Sequence, residues 1–321
     1  MKLTVSLIVA NEKDVLRKCL ISLREGISPG IEHEVIAVDN ASEDGTSEIL
    51  KKEFPEVKVI RNAQKYGFCK NHNIVIKNSS GEYVLILNSD IVATKSFVNE
   101  LIKAIDSDKR IGCITGKLLL GDGSSDEKVI DITGLPLKKN RQAVPRGHGE
   151  EDKGQYDEPC ALLAIDGAAL LCRREMLEDI KLFGEYLDES FYAFKEDQDL
   201  CWRARLRGWD VRYTPKAVAY HLRGWGKKRK RKTVPRFIRQ HSFKNRYLLM
   251  LKNDYLINWL IALPFILWFE VRAFVYMLFR EPHLFLAWVQ FLKLLPLTLR
   301  KRRAIMKRAV VSPRGIRKWF I

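Results

Sequence analysis

The chain has six cysteines among its 321 residues (Cys19, Cys69, Cys113, Cys160, Cys172 and Cys201), and no two of them form a CxxC pair. That scatter argues against a zinc site or a disulfide framework and fits buried thiols in a reducing compartment. No signal peptide is expected, because the apolar run in MKLTVSLIVANEKD is short and meets charge at once. Acidic residues are scarce in one region only. Residues 223–321 carry 24 basic and 3 acidic side chains, a balance of +21, whereas residues 1–222 carry 32 and 36, a balance of −4. The positive excess behind the formal net charge of +17 therefore lies in the last third, which points to an anionic partner, nucleic acid or a phospholipid surface.

Within the part that is nearly neutral, the stretch Asp188–Gly208 concentrates the chemistry. Glu196, Asp197 and Asp199 follow the aromatics Phe191, Tyr192 and Phe194, and Arg203, Arg205 and Arg207 precede Gly208. The pattern predicts a helix with acids in its first turn and bases in its last. Such a helix suits the macrodipole on structural grounds alone. Crowded carboxylates beside aromatics also raise one another's pKa, which is how a general base is made. Both readings stand at this point.

The first third alternates strand-like and helical runs: strands at Leu3–Val9, Glu34–Val38, Val57–Arg61 and Tyr83–Leu87, helices at Lys13–Arg24, after Asp44, at Cys69–Lys77 and at Ser96–Ile105. This alternation predicts an α/β fold with a doubly wound, mostly parallel sheet and ligands at the carboxyl ends of its strands. Asp39, Asn40 and Ser42 follow the second strand, in a turn that caps a helix or holds a nucleotide base and ribose. Gly67 and Lys70 follow the third, as a tight approach and a phosphate contact. Asn88 and Asp90 end the fourth, with Ser89 between them, and side chains two apart on an extended segment share a face on which a hard cation can be held. Strands are expected at Ile111–Leu120 and Val129–Thr133, a strand pair around Asp166 and Gly167, and a polar loop at Lys138–Pro159 covering the site.

VSLIVANEKDVLRKCLISL, VDNASEDGTSE, NAQKYGF, LILNSD and FYAFKEDQDLCWRARLRGWDV with its later AYH resemble, in order and spacing, the family-2 inverting glycosyltransferases, and within them the rhamnosyltransferase-like branch. The resemblance covers about the first 225 residues. It implies a GT-A fold, a nucleoside-diphosphate-sugar donor (a dTDP- or UDP-sugar, dTDP-rhamnose among them), Mg2+ or Mn2+, and a glycan or lipid-linked acceptor. Carried over by position, Asp197 is the general base. Asp39 recognises the base with Asn11 nearby, and Asn40, Ser42, Gly67, Lys70, Asn88 and Ser89 join the donor site. Asp90 and His221 hold the metal, while Asp166, Glu196 and Asp199 face or orient the acceptor. Two departures stand out. Asn88 takes the first metal-motif position where aspartate is usual, and Lys70, Asn71 and His72 stand where further glycines are usual.

Residues 1–226 are expected to form the catalytic domain and 227–321 a basic, apolar region that associates with the membrane. KKRKRK at 227–232 reads as a nucleic-acid arm in isolation, but no nucleic-acid module accompanies it and nucleic acid is not expected as a partner. Tyr255–Phe269 is uncharged but stops at Glu270 and Arg272, about 15 residues or roughly 22 Å of helix, short of a bilayer core. Leu284–Leu299 is a second apolar stretch ending at RKRR. Two short helices lying in or re-entering the cytoplasmic leaflet of an anionic cell membrane, with Trp259, Trp268, Trp288 and the arginines as anchors, fit this pattern. Trp225, between Gly224 and Gly226, is expected as an exposed aromatic that could meet a sugar. True spanning helices and an ordinary soluble subdomain remain alternatives. Two other functions compete: nucleotidyl transfer, which wants a glycine-rich loop where VANEKDV has no glycine, and a non-catalytic membrane or nucleic-acid adaptor.

Overall fold

The computed structural model describes residues 1–125, 128–223 and 234–321; Trp225 and the 227–232 basic run lie outside them. Four strands, β1 (Leu3–Val9), β2 (His33–Asp39), β3 (Lys58–Arg61) and β4 (Tyr83–Asn88), are parallel neighbours in the order β3-β2-β1-β4. Helices α1 (Lys13–Gly26), α2 (Thr46–Glu53) and α3 (Phe68–Lys77) connect them. Val84–Leu87 of β4 is an unbroken aliphatic run, and even Thr4 and Ser6 of β1 are buried, because strands covered on both faces have no solvent side to alternate toward. All these elements match the periodicity reading to within a few residues.

The sheet then changes character. A short β5 (Ile91–Ala93) leads into α4 (Phe97–Asp106) and β6 (Ile111–Leu120), with β7 (Ile130–Ile132) paired to β6. The expected strand pair around Asp166 does not form. Instead β8 (Cys160–Ala161) pairs with a later strand, and β9 (Ala169–Arg173) inserts antiparallel between β4 and β6. Asp166 and Gly167 lie in the link between them, just before the N-terminal end of β9. After α5 (Arg174–Ile180) and α6 (Glu196–Leu206), β10 (Asp210–His221) runs parallel to β6 and antiparallel to β5. The polar loop at 138–159 is fastened rather than free. Lys117 pairs with Asp152 at 2.9 Å, the Tyr213 hydroxyl donates to the Tyr156 carbonyl at 2.9 Å, and Arg141 is buried against Asp254 at 2.7 Å.

The last part is helical: α7 (Arg236–Asn253), α8 (Leu256–Arg280), α9 (Phe285–Arg308) and α10 (Pro313–Arg317). Glu270 and Arg272 do not interrupt α8, which runs 25 residues, about 37 Å. Glu270 stays in the helix because Arg246 and the Tyr247 hydroxyl of α7 satisfy its carboxylate. Two helices, Leu256–Arg280 and Pro282–Arg308, are thus long and apolar enough to cross a membrane by length and composition. Leu260, Leu267, Trp268, Phe274 and Leu278 of α8 are exposed. The tail also returns to the sheet half: the Ile321 amide donates to the Leu137 carbonyl at 2.9 Å and the Val310 amide to the Leu206 carbonyl at 2.9 Å.

Candidate active site

Strands β1, β2 and β4 end at one edge, since Ile8 faces Asn88 and Val9 faces Asp39 in register. The loops there are built from the residues expected at the donor site. Asp39 is fully buried; it accepts from the Ser42 amide at 2.9 Å and from the Ser47 hydroxyl, so both its oxygens shape the turn. Asn11 accepts from the Glu43 amide at 2.8 Å, and its own amide donates to Ser42 Oγ at 3.1 Å. Asn40 accepts from the Tyr66 amide at 2.8 Å and donates to the Tyr66 carbonyl at 3.0 Å, tying the second loop to the third. The close approach at Gly67 comes from Tyr192, whose carbonyl would lie 2.6 Å from an added Cβ. Lys70 stands over the Tyr66 ring, while Asn71 and His72 turn inward, which accounts for the missing glycines. Ser89 donates to Glu12, a carboxylate that burial raises above its ordinary pKa and that the sequence did not single out.

A neighbouring cavity of about 910 Å³ brings together Asn88, Asp90, Asp166, Glu196, Asp197 and His221. The pairing of β5 with β10 sets two of them side by side: Ile91 faces His221 in register, and Asp90 Oδ1 lies 3.2 Å from His221 Nε2. The other ring nitrogen of His221 meets Asp131 at 2.7 Å. Burial opposes the imidazolium, but hydrogen bonds to Asp131 and Asp90 outweigh it and push His221 up to about 9. Asp131 is a functional candidate that sequence reasoning missed. A lone carboxylate inside the β-branched run VIDIT was the available signal, because a charge on a buried strand needs partners. It also holds Arg223 at 2.7 Å, and Arg223 lines the same cavity.

Asp197 opens α6 and is held by two amides, from Gln198 at 2.6 Å and from Gly167 at 3.2 Å. Burial, reinforced by the nearby Asp166 charge, lifts it to about 7 despite those bonds. Asp166 is half-buried at the cavity wall, with one oxygen on the Ala168 amide at 2.8 Å. Glu196 is raised well above the carboxylate range by burial and by Asp197, and its Oε2 has no hydrogen-bond partner among the described residues. Asp199 departs from the expected arrangement. It is fully buried and turned away from the cavity, bonded to Arg203 at 2.9 Å, Lys252 at 2.8 Å and Asn253 at 2.7 Å. An i to i+4 pairing with Arg203 and a counter-ion from α7 make it a support for the helix instead of an acceptor contact.

The donor set at Asp90 and His221 fits a divalent cation. One carboxylate and one imidazole, the latter fixed through its far nitrogen by a buried carboxylate, form a familiar half-shell. Among the described residues no group of three His, Cys, Asp or Glu side chains surrounds one point. The cation would therefore take its remaining oxygens from a bound diphosphate and water.

The family model for Glycosyl transferase family 2 matches residues 4–180. The N-acetylglucosaminyl-diphospho-decaprenol L-rhamnosyltransferase of Mycobacterium tuberculosis is 25% identical over 208 residues, 58% of this chain and 66% of that protein. The chain spans less than a quarter of the length of several other curated relatives. Among solved structures, GalNAc-T7 with UDP, GalNAc and Mn2+ superposes with a TM-score of 0.61 at 17% identity, covering 78% of this chain and 48% of that one. The mannosyltransferase PcManGT from Pyrobaculum calidifontis, in complex with GDP-Man and Mn2+, gives 0.54 at 15% identity over 99% of this chain and 82% of its own. The mixed sheet and its helices share the GT-A fold of these structures. The chain belongs to glycosyl transferase family 2.

Proposed function

We propose that the chain is an inverting hexosyltransferase that moves a sugar from a UDP- or dTDP-sugar, dTDP-rhamnose included, to a hydroxyl of a cell-surface glycan or lipid-linked acceptor at the cytoplasmic face of the cell membrane. The observation that carries this reading is the single cavity shared by Asp197, with its pKa near 7, and the Asp90–His221 pair. Asp197 takes the proton of the acceptor hydroxyl as that oxygen bonds to the anomeric carbon. The bond from that carbon to the diphosphate breaks on the opposite face, and the diphosphate leaves with the electron pair. Asp166 raises the basicity of Asp197, and the Gly167 and Gln198 amides keep its carboxylate oriented. Arg223 supplies a cation toward the leaving group, and Asp90 and His221 would hold Mn2+ or Mg2+. When bound, that ion neutralises charge on the departing diphosphate. Asn11, Asp39, Asn40 and Ser42 shape the base side of the donor site.

Residues 1–226 serve as the catalytic part, and the apolar helices of the remainder seat it on an anionic membrane. The mycobacterial relative is named for transfer to a decaprenol-linked sugar, in keeping with such a location. A thermal-shift screen of UDP, dTDP and GDP, each with and without Mn2+, tests the donor reading. A Mn2+-dependent rise in Tm with UDP or dTDP is expected; no rise with any of the three would overturn it.

A further inference from the structure

A second cavity, about 1290 Å³, opens off the catalytic one, and Phe194, Lys195, Val234, Ile238 and Ser242 line both. Its walls differ in chemistry. One is the largely apolar α8 face, where Trp268, Phe269, Val271, Val275 and Phe279 stand with Arg272 and Arg280; the other carries Arg239, Arg246 and Lys195. Among the described residues no carboxylate lines it, although Glu281 and Glu270 behind the wall pair with Arg239 and Arg246. The Lys195 ammonium makes no hydrogen bond or ion pair among the described residues, and burial lowers its pKa. The neighbouring Asp197 and Glu196 charges favour the ammonium without bonding it, so its hydrogen-bonding capacity is left for an arriving anion. The combination selects a ligand with an apolar chain and a phosphate at the boundary between the two walls.

We propose that this cavity is the acceptor-lipid site: the chain of a lipid phosphate or diphosphate lies along α8, and its phosphate meets Lys195 between Arg239 and Arg246. The acceptor hydroxyl then enters the catalytic cavity past Ile238 and reaches Asp197, a step that rests on the transferase reading above. Lys195 immediately precedes α6, so one residue separates the phosphate contact from the general base.

Equilibrium binding of farnesyl phosphate to the full chain in phosphatidylcholine nanodiscs tests this, with farnesol and inorganic phosphate as separate arms. Saturable binding at least about tenfold tighter than either arm is expected, as is a loss of about tenfold in Lys195→Gln. Ile238→Trp, which fills the junction, is expected to weaken binding in the same way, and Asp90→Ala to leave it intact. Farnesol binding as tightly as its phosphate would reduce the cavity to a greasy surface. Free phosphate competing equally would remove the lipid. Wild-type affinity in both Lys195→Gln and Ile238→Trp, or loss in Asp90→Ala, would move the probe elsewhere. Failure of donor turnover in the wild type would sink the transferase reading while leaving farnesyl phosphate binding in place, so the two failures are separable.

Discussion

Asn245 donates from its buried side-chain amide to the Phe194 carbonyl at 2.7 Å, joining the tail helix α7 to the loop that leads into Asp197, the proposed general base. The same Nδ2 reaches the carbonyls of Phe191 at 2.9 Å and Ala193 at 2.8 Å. Around these points Tyr192, Phe194 and Lys195 adopt positive φ of 64°, 71° and 69°, which costs non-glycine residues about 1–3 kcal/mol each. The tail amide holds that conformation against relaxation. Asn245→Ala should therefore lower kcat about tenfold with little change in donor Kd, since unsatisfied buried carbonyls cost about 1–3 kcal/mol and are free to turn toward water. Calorimetric donor binding alongside initial rates makes the comparison, and an unchanged kcat would show that the loop keeps its shape unaided.

Asp197→Asn should reduce transfer by about 10²–10⁴ and leave donor affinity within about twofold, because the amide keeps the shape but accepts no proton. The active form of Asp197 is the carboxylate, and burial with the Asp166 charge raises its pKa to about 7. Activity should consequently rise with pH through about 7 and level off above it. Asp166→Asn removes a neighbouring negative charge and should move that midpoint to lower pH. A flat profile between pH 5 and 8 would remove Asp197 from the role.

Much of this site was legible in the sequence, for unequal reasons. The ends of β1, β2 and β4 follow from periodicity, and parallel register then brings their polar termini to one edge whatever the loops do. The meeting of Asp90 with His221 needed the antiparallel β5–β10 pairing of a three-residue strand, too short to show a period. Asp199 looks like its neighbours in sequence. Arg203 at i+4 is its one local partner, and Lys252 and Asn253, which complete its burial, lie more than 50 residues away. The length of α8 was not legible, because a charge within an apolar run reads as a break and the partners of Glu270 lie on another helix, α7.

The cation site should respond to its outer support as well as to its ligands. Asp90→Ala should abolish the difference between nucleotide binding with Mn2+ and with EDTA, as read by calorimetry. Asp131→Asn, which leaves Asp90 and His221 in place, should weaken Mn2+-dependent binding by about 10–100-fold through loss of imidazole orientation. Nucleotide affinity that ignores Mn2+ in the wild type would remove the metal assignment altogether.

The buried ion network under α6 gives a stability prediction. Asp199 and Asp188 share Lys252, and Asp188 also meets Lys301 at 2.6 Å. Asp199→Ala leaves Arg203 and Lys252 short of a counter-charge in the interior and should cost about 3–5 kcal/mol, read as a lower midpoint in urea. A variant within about 1 kcal/mol of the wild type, the scale of an exposed pair, would show that water reaches this network.

The proposed membrane contact can be tested apart from the proposed lipid cavity, although the cavity's own α8 residues, Trp268 and Phe279 among them, are exposed as well. Leu260, Leu267 and Leu278 are exposed and lie outside that cavity, so charging them alters the outer surface alone. Burying a leucine side chain is worth about 1.5–3 kcal/mol, so charging three of them at once removes a large share of the apolar contact that would add to the attraction of the basic tail for anionic headgroups. The triple variant Leu260→Asp, Leu267→Asp, Leu278→Asp should fail to float with phosphatidylglycerol vesicles that carry the wild type. Its Tm in detergent should change little, because none of the three packs against the protein core. Continued flotation would shift the membrane contact from α8 to the basic segments, whereas a wild type that never floats would place the enzyme in solution.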